Sequence, residues 1–152
     1  MTDRPATTSG TTPGAEDAAR LPTIRVAALA LLRERRVLMV TARARDVYYM
    51  PGGKIDPGET AAEAAVREAF EEVSVRVDAA NVHPLFTVTV QAHGEPEGRL
   101  VEMQVFEGST PDAPRPSSEV DAVHWVGSAD EHRCPPAGAE TLRRLHALGL
   151  ID

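Results

Sequence analysis

The chain has 152 residues, and its 23 acidic and 16 basic side chains give a formal charge of −7. This length predicts one domain with a sizeable core, and the acidic balance argues against a protein that coats nucleic acid. No apolar run reaches 18 residues, and the single cysteine, Cys134, excludes a disulfide framework or a multi-thiolate zinc site. We therefore expect a cytoplasmic protein with neither nucleic acid nor membrane as its partner.

The first part of the chain divides into a tail and two strands. Residues 1–20 contain threonine, proline and glycine without apolar periodicity, so we predict a disordered tail with no secretory signal. The folded domain is expected over residues 21–152. Residues 23–32 and 37–42 are short, apolar runs, which predict two buried strands joined by the polar turn RERR.

A helix is predicted after a glycine pair and a turn. Gly52 and Gly53 end a short aromatic segment, and Asp56-Pro57-Gly58 has the composition of a turn. Thr60 and the glutamate three residues later have capping-box spacing, so the helix should begin there. Apolar residues at helical spacing then predict its buried stripe: Ala62, Ala65, Val66, Ala69, Phe70 and Val73.

The second half of the chain predicts three more strands and a final helix. Pro84 should interrupt the chain before residues 85–94 and 99–108, which form a hairpin closed by the polar insert 95–98. After a proline-rich loop, Val120–Val126 is a strand carrying Trp125, and Ala139–Leu148 is an amphipathic helix. The class is therefore mixed α/β.

Three glutamates of the central helix form an acidic cluster. Glu68, Glu71 and Glu72 are spaced i, i+3, i+4 and share one face, about 135° from the apolar stripe. Carboxylates this close repel one another, and a bound Mg²⁺ or Mn²⁺ would relieve the repulsion. The alternative is an acidic face that is simply solvated.

The wider pattern resembles the Nudix box. Gly53 is followed after five residues by Glu59, after seven more by Arg67-Glu68, and after two more by Glu71-Glu72. The resemblance extends over residues 22–150 and implies a Nudix-like α/β/α sandwich, with a mixed β-sheet and a metal-binding box helix. Two positions depart from the pattern, because Ala69 replaces a bulky aliphatic residue and Ser74 replaces a glycine.

The resemblance also implies an activity. Nudix proteins hydrolyse a pyrophosphate bond in a nucleoside diphosphate linked to another group. The segment Gln91-Ala92-His93 lacks the downstream markers of ADP-ribose or dinucleotide polyphosphate subgroups, so a small nucleoside di- or triphosphate, with damaged nucleotides included, is the leading substrate. The alternatives are a pyrophosphatase for isoprenoid or inositol diphosphates, and a catalytically silent module that senses a ligand or binds a partner. A homodimer is left open.

By the same resemblance, Glu68, Glu71, Glu72 and the carbonyl of Gly52 are the expected ligands of Mg²⁺ or Mn²⁺. Glu59 and Arg67 should orient these ligands, so Arg67 counts among the catalytic group, although a plain surface ion pair is its alternative. The general base stays open between Glu71, Glu72 and a late carboxylate, Glu119. Weaker candidates for proton transfer are Glu102, His93 and His124.

Three residues near the glycine pair are candidates for substrate binding. Lys54, the chain's only lysine, could place its charge near a phosphate or simply solubilise a strand edge. Tyr48 and Tyr49 could stack on a base or sugar. One of the two should belong to the core, because neighbouring strand residues face opposite sides of a sheet.

Overall fold

The computed structural model describes residues 21–152, so the predicted disordered tail lies outside the described residues. Two short 3-10 turns, Ala79–Asn81 and Ser128–Arg133, join the regular elements. The strands and helices are, in chain order, β1 (Ile24–Arg33), β2 (Arg36–Ala42), β3 (Tyr48–Tyr49), β4 (Gly52–Lys54), α1 (Ala61–Val73), β5 (His83–Gln91), β6 (Leu100–Gly108), β7 (Val120–Val126) and α2 (Pro136–Ala147).

The strands of residues 21–152 form one mixed sheet that opens near its middle. Its order is β3-β2-β1-β6-β5, with β4 paired to β1 and β7 paired to β2. β1 and β6 are parallel, and every other pair is antiparallel. β1 and β2 pair only beside their turn, at Leu32–Val37 and Arg33–Arg36. Beyond that point the two strands separate, and the short strands β3 and β4 line the opening.

A hydrophobic core lies on each face of the sheet. Ala27, Leu29 and Leu31 of β1 pack on the side of α1, whereas Ala28 and Ala30 pack on the side of α2. Burial on both faces explains why this strand is an almost continuous apolar run rather than an alternating one. The predicted α/β/α sandwich with a mixed sheet is thus confirmed.

Helix α1 begins where the sequence predicts. The Glu63 N–H donates to the Thr60 hydroxyl at 3.1 Å, and the Thr60 N–H donates to the Glu63 carboxylate at 3.2 Å, which completes the capping box. The predicted apolar stripe is partly wrong. Ala64 is fully buried, and Phe70 is 47% exposed beneath the Arg76 guanidinium.

Helix α1 is rotated about its axis relative to the predicted stripe, and its small side chains explain the rotation. The buried residues of the helix are Ala64, Ala65, Ala69 and Val73. Alanines allow the helix backbone to lie close to β1, so the helix docks through its smallest residues and the bulky Phe70 turns outward. Ala69, a departure from the Nudix pattern, is therefore a fully buried contact between helix and sheet.

The other departure, Ser74, ends α1 in the left-handed region at φ 59° and ψ 26°. A side chain is disfavoured there, and glycine is not. We expect Ser74→Gly to raise the free energy of unfolding by about 1 kcal/mol, as a shift in the urea midpoint. Ser117→Gly is the matched control because Ser117 has an ordinary φ. Equal midpoints for the wild type and Ser74→Gly would contradict the prediction.

Two boundaries differ from the sequence prediction because of prolines. Pro84 lies inside β5, next to a bulge, rather than before the strand. β5 is the last strand in the sheet order, where a missing N–H is tolerated. Helix α2 begins three residues early, at Pro136, since proline is favoured in the first position of a helix. Within residues 21–152, neither helix is long and apolar enough to cross a bilayer.

Candidate functional site

A cavity of about 520 Å³ lies where β1 and β2 separate. Its walls come from strands β1–β4, the face of α1, the β5–β6 hairpin and the loop before β7. The structure thus brings to one cavity most of the residues that the sequence singled out. These are Tyr48, Tyr49, Gly52, Glu68, Glu71, Glu72 and Glu119.

The two glycines of β4 are required for different reasons. A β-carbon on Gly52 would lie 2.4 Å from the Ala27 carbonyl oxygen, so a side chain there would push β4 away from β1. A β-carbon on Gly53 would lie 2.4 Å from Glu68 Oε1. The first glycine therefore lets the strands pair, and the second leaves room for a carboxylate.

Arg67 holds the acidic residues of this region together. Its guanidinium donates to both oxygens of Glu59, at 3.0 and 2.7 Å, and to Glu68 at 3.0 Å. It also donates to the Lys54 carbonyl at 3.1 Å and approaches Glu71 at 3.4 Å. The hydrogen bonds from Arg67 lower the pKa of Glu59 to about 2, and Glu59 in turn raises the pKa of Arg67. The orienting role of Glu59 and Arg67 stays a prediction.

Glu72 is half-buried beside the glycine pair. Its Oε2 accepts a hydrogen bond from the Gly52 N–H at 3.3 Å. Burial, and next the negative charge of Glu68, raise its pKa to about 8. Glu68 has an 18% exposed side chain, whereas that of Glu71 is 50% exposed. The helix face that carries Glu68, Glu71 and Glu72 therefore lies toward the glycine pair. A simply solvated acidic face would expose all three side chains, and of the three only Glu71 is exposed.

These groups fit a hard divalent cation. Glu68, Glu71 and Glu72 offer carboxylate oxygens, which are the ligands that Mg²⁺ and Mn²⁺ prefer. Gly53 leaves space beside the Glu68 carboxylate that a β-carbon would fill. Within residues 21–152, no three acidic, histidine or cysteine side chains already converge in ligand geometry. Binding a cation therefore requires the carboxylates to turn toward one another.

Glu119 lies at the exposed rim of the cavity, on a loop that is fixed to α1. The Ser117 N–H donates to the Glu72 carbonyl, and the Arg115 N–H donates to the Val73 carbonyl, both at 2.9 Å. The Glu119 carbonyl in turn accepts from the Arg43 N–H at 3.0 Å. Glu102 is instead paired with Arg25 at 3.4 Å and is not part of the cavity wall.

The three predicted substrate-binding residues have different surroundings. Tyr48 is buried, stacks on His124 with ring centroids 4.5 Å apart, and accepts a hydrogen bond from Arg133 at 2.6 Å. Tyr49 is half-buried and packs on the α1 side. The Lys54 side chain is exposed and does not line the cavity, although its carbonyl binds Arg67.

Several cavity residues were not assigned to the site from the sequence. Arg45, Met50, Glu95 and Met103 line the wall, and so does His93, which the sequence suggested only as a proton carrier. They come from loops and strands that no motif spacing relates to the box. Met50 follows the Tyr48–Tyr49 segment and Glu95 lies close to Gln91–His93, so these two could have been suspected from their neighbours in the sequence.

The comparisons with known proteins identify the family. The sequence profile described as the NUDIX domain matches residues 22–146. A match over most of the chain, together with the sandwich and the carboxylates beside the glycine pair, shows that this chain belongs to the Nudix family. The resemblance seen in the sequence is thereby confirmed.

Individual relatives match either a short part of the chain or most of the chain at low sequence identity. The chain is 43% identical over 44 residues to a Bacillus subtilis (strain 168) protein named "Putative 8-oxo-dGTP diphosphatase"; the match covers 29% of this chain and 30% of that protein. An Ap4A hydrolase of C. elegans superposes with a TM-score of 0.63 at 23% identity, over 83% of this chain and 97% of that one. A bifunctional NMN adenylyltransferase/ADP ribose pyrophosphatase of Francisella tularensis, complexed with AMP and a Mn ion, superposes with a TM-score of 0.60 at 19% identity. The superposition covers 85% of this chain and 41% of that one.

Proposed function

We propose that this protein hydrolyses a pyrophosphate bond in a nucleotide-like substrate with the help of a divalent cation. The observation that carries the proposal is the placement of Glu68, Glu71 and Glu72 on the cavity wall, beside Gly52 and Gly53. Arg67 lies behind them and fixes the orientation of the acidic side chains.

The charge of the cavity explains why a cation is needed. Its wall carries the carboxylates of Glu68, Glu71, Glu72, Glu95 and Glu119, against one guanidinium from Arg45. A diphosphate would be repelled by this wall unless positive charge entered with it. We propose that Glu68, Glu71, Glu72 and the Gly52 carbonyl hold Mg²⁺ or Mn²⁺. When bound, such an ion neutralises the phosphates, acidifies water and stabilises the leaving oxygen.

The remaining side chains have roles that follow from their exposure. Glu72 is half-buried and hydrogen-bonded to Gly52, which suits a ligand rather than a group that exchanges protons freely with solvent. Glu71 and Glu119 are exposed on the cavity wall. We propose that the carboxylate of one of them accepts the proton of the attacking water. We propose that Arg45, which lines the cavity, contacts a phosphate oxygen, a role that the sequence suggested for Lys54.

The apolar part of the cavity supports a substrate with an organic group next to its phosphates. Val26, Ala28, Met50 and Met103 contribute this part of the wall. We propose a small nucleoside di- or triphosphate, of which an oxidised nucleotide is one kind. The names of the relatives include 8-oxo-dGTP, Ap4A and ADP-ribose chemistry, so the family likeness leaves several nucleotides to compare. A cytoplasmic location and a homodimer stay predictions.

The proposed function is tested by measuring product release from a panel with and without Mg²⁺ or Mn²⁺. The panel includes dNTPs, oxidised dGTP, ADP-ribose, dinucleotide polyphosphates, and isoprenoid and inositol diphosphates. We expect turnover of at least one nucleotide that disappears with EDTA and returns with the cation. Activity that survives EDTA would contradict the cation's role. Binding without turnover would favour the silent sensing module, and turnover of isoprenoid or inositol diphosphates alone would replace the nucleotide.

A further inference from the structure

A second depression lies beside α1, outside the cavity. It is a groove of about 510 Å³, and it shares no residue with the wall of the cavity. We propose that a second copy of this chain docks on this groove about a two-fold axis, so that the protein forms a symmetric dimer. The residues that line the groove are Val66, Phe70, Val75, Arg76, Val77 and Asp78.

Phe70 gives the groove an exposed aromatic anchor. Val66 and Phe70 are four residues apart, so they lie on one side of α1, and Phe70 is 47% exposed. Aromatic side chains are enriched at protein–protein interfaces, where they act as anchors. Covering Phe70 therefore gives association an apolar driving force. Among the large hydrophobic residues exposed within residues 21–152, Phe70 is the one aromatic, and the others are Leu21, Leu100 and Leu148.

The segment after α1 supplies one positive and one negative charge to the groove. Exposure alternates along this segment, with Arg76 and Asp78 exposed and Val77 half-buried between them. Such alternation is typical of an extended chain, in which residues two apart lie on the same side. The two opposite charges therefore flank Val77 on one surface.

This order of charges is complementary to itself. In a two-fold interface the same patch of both copies meets, and each contact occurs twice. An axis close to Val77 would set Arg76 of each copy opposite Asp78 of the other, which gives two ion pairs. A partner of a single charge would match only one of these two residues, so the groove fits a second copy best. The pairs also offset the repulsion between two chains of charge −7.

The groove is formed before association. The Arg76 N–H donates to the Asp112 carboxylate at 3.0 Å, and the Arg76 carbonyl accepts from the Thr110 hydroxyl at 3.3 Å. The Arg76 guanidinium lies over the Phe70 ring at 5.2 Å. Within residues 21–152, neither Arg76 nor Asp78 is in a salt bridge. Two copies can therefore dock without breaking an ion pair or ordering the segment, which are costs that weaken association.

Sedimentation velocity of the full chain over a range of concentrations tests the dimer. We expect the wild type to reach twice the chain mass of 16.3 kDa as the concentration rises. Phe70→Ala removes an aromatic anchor from both copies, so the Kd of the dimer should rise at least about 100-fold. Leu148→Ala is the matched control, because Leu148 is 57% exposed and lies outside the groove. Its Kd should equal that of the wild type.

Charge reversal tests the two-fold arrangement. Arg76→Glu alone and Asp78→Lys alone should each be monomeric where the wild type is dimeric, because each sets two pairs of like charges across the axis. A mixture of the two variants should form a heterodimer, since both of its pairs then join opposite charges. Native mass spectrometry identifies the heterodimer by its mass. Recovery on mixing also excludes misfolding as the cause of the loss.

Three results would overturn the proposal. A wild type that stays monomeric at every concentration would exclude the second copy and leave the groove to a different partner. A dimer that Phe70→Ala does not weaken would place the interface on another face. A mixture of the two charge variants that stays monomeric would contradict the two-fold pairing. These measurements record mass rather than turnover, so their outcome is independent of the proposed hydrolysis.

Discussion

Glu72→Gln is expected to abolish turnover while making the cation-free protein more stable. The variant loses a proposed ligand of the cation. Mutating even the residues that support metal ligands lowers metal affinity or activity about 10–100-fold. We therefore expect turnover to fall at least about 100-fold. Retention of more than about a tenth of wild-type activity would contradict the assignment, since a ligand must matter at least as much as its supports.

The stability gain has a defined pH dependence. The pKa of Glu72 rises from 4.5 to about 8 because burial and Glu68 disfavour its charged form. Below pH 4.5 the group is protonated in both the folded and unfolded states and has no effect. Between pH 4.5 and about 8 the unfolded chain has lost this proton while the folded protein still holds it, so wild-type stability falls across this range and levels off above pH 8.

Glutamine cannot ionise, so the advantage of Glu72→Gln should grow from pH 4.5 to pH 8. We expect a gain on the order of 2 kcal/mol at pH 8, which is less than half the value of the full pKa difference at about 1.4 kcal/mol per pKa unit. Urea unfolding in EDTA at several pH values measures it. Added Mg²⁺ should reverse the order by stabilising the wild type alone.

Glu97→Gln is the matched control for both measurements, because Glu97 is exposed on the hairpin and outside the cavity. It makes the same glutamate-to-glutamine change in the chain without touching the site. We expect its turnover and its pH profile of stability to match the wild type. An equal stability gain in Glu97→Gln would mean that net charge, rather than the burial of Glu72, causes the effect.

Alanine at Gly52 and alanine at Gly53 should affect the stability of the protein differently. Gly52→Ala places a methyl group 2.4 Å from a backbone oxygen of Ala27. The strand cannot yield without losing its pairing to β1, so we expect a loss of about 1–3 kcal/mol in the free energy of unfolding, the usual range for overpacking. Gly53→Ala meets only the end of the Glu68 side chain, which is free to move. Its stability should stay within about 0.5 kcal/mol of the wild type.

The Gly53→Ala variant should lose activity although it keeps its stability. Gly53→Ala displaces the Glu68 carboxylate from its place beside β4, so we expect turnover and Mg²⁺ affinity to fall about 10–100-fold, as for disturbed supports of a metal ligand. Turnover, calorimetric titration with Mg²⁺ and urea unfolding of both variants provide the comparison. A Gly53→Ala variant with full activity would show that the position of Glu68 is not critical.

The box illustrates what a local pattern determines. The capping box at Thr60 and the spacing of Glu68, Glu71 and Glu72 depend on one helix, whose geometry repeats every 3.6 residues. The start of α1 was therefore predictable, whereas the family and the sandwich were predicted from the resemblance of this pattern to the Nudix box. Ser74, which stands where the box has a glycine, ends the helix in the left-handed region.

The packing of α1 was not predictable from the helix alone. Periodicity placed Phe70 in the core, yet the helix docks through Ala64, Ala65 and Ala69. Which face of a helix is buried depends on the partner surface, and alanines allow the closest approach to β1. This rotation also turns Glu68 and Glu72 toward the glycine pair.

The sequence by itself determined the fold, the box helix and the carboxylates proposed to bind a cation, since those signals are local in the chain. Only the tertiary structure decided which distant residues share the cavity. Arg45 and His93 meet the box because β1 and β2 separate, and Lys54 points away because its strand neighbours face the helix. Contacts between separate loops depend on how strands pair and diverge, and no spacing within one segment encodes that.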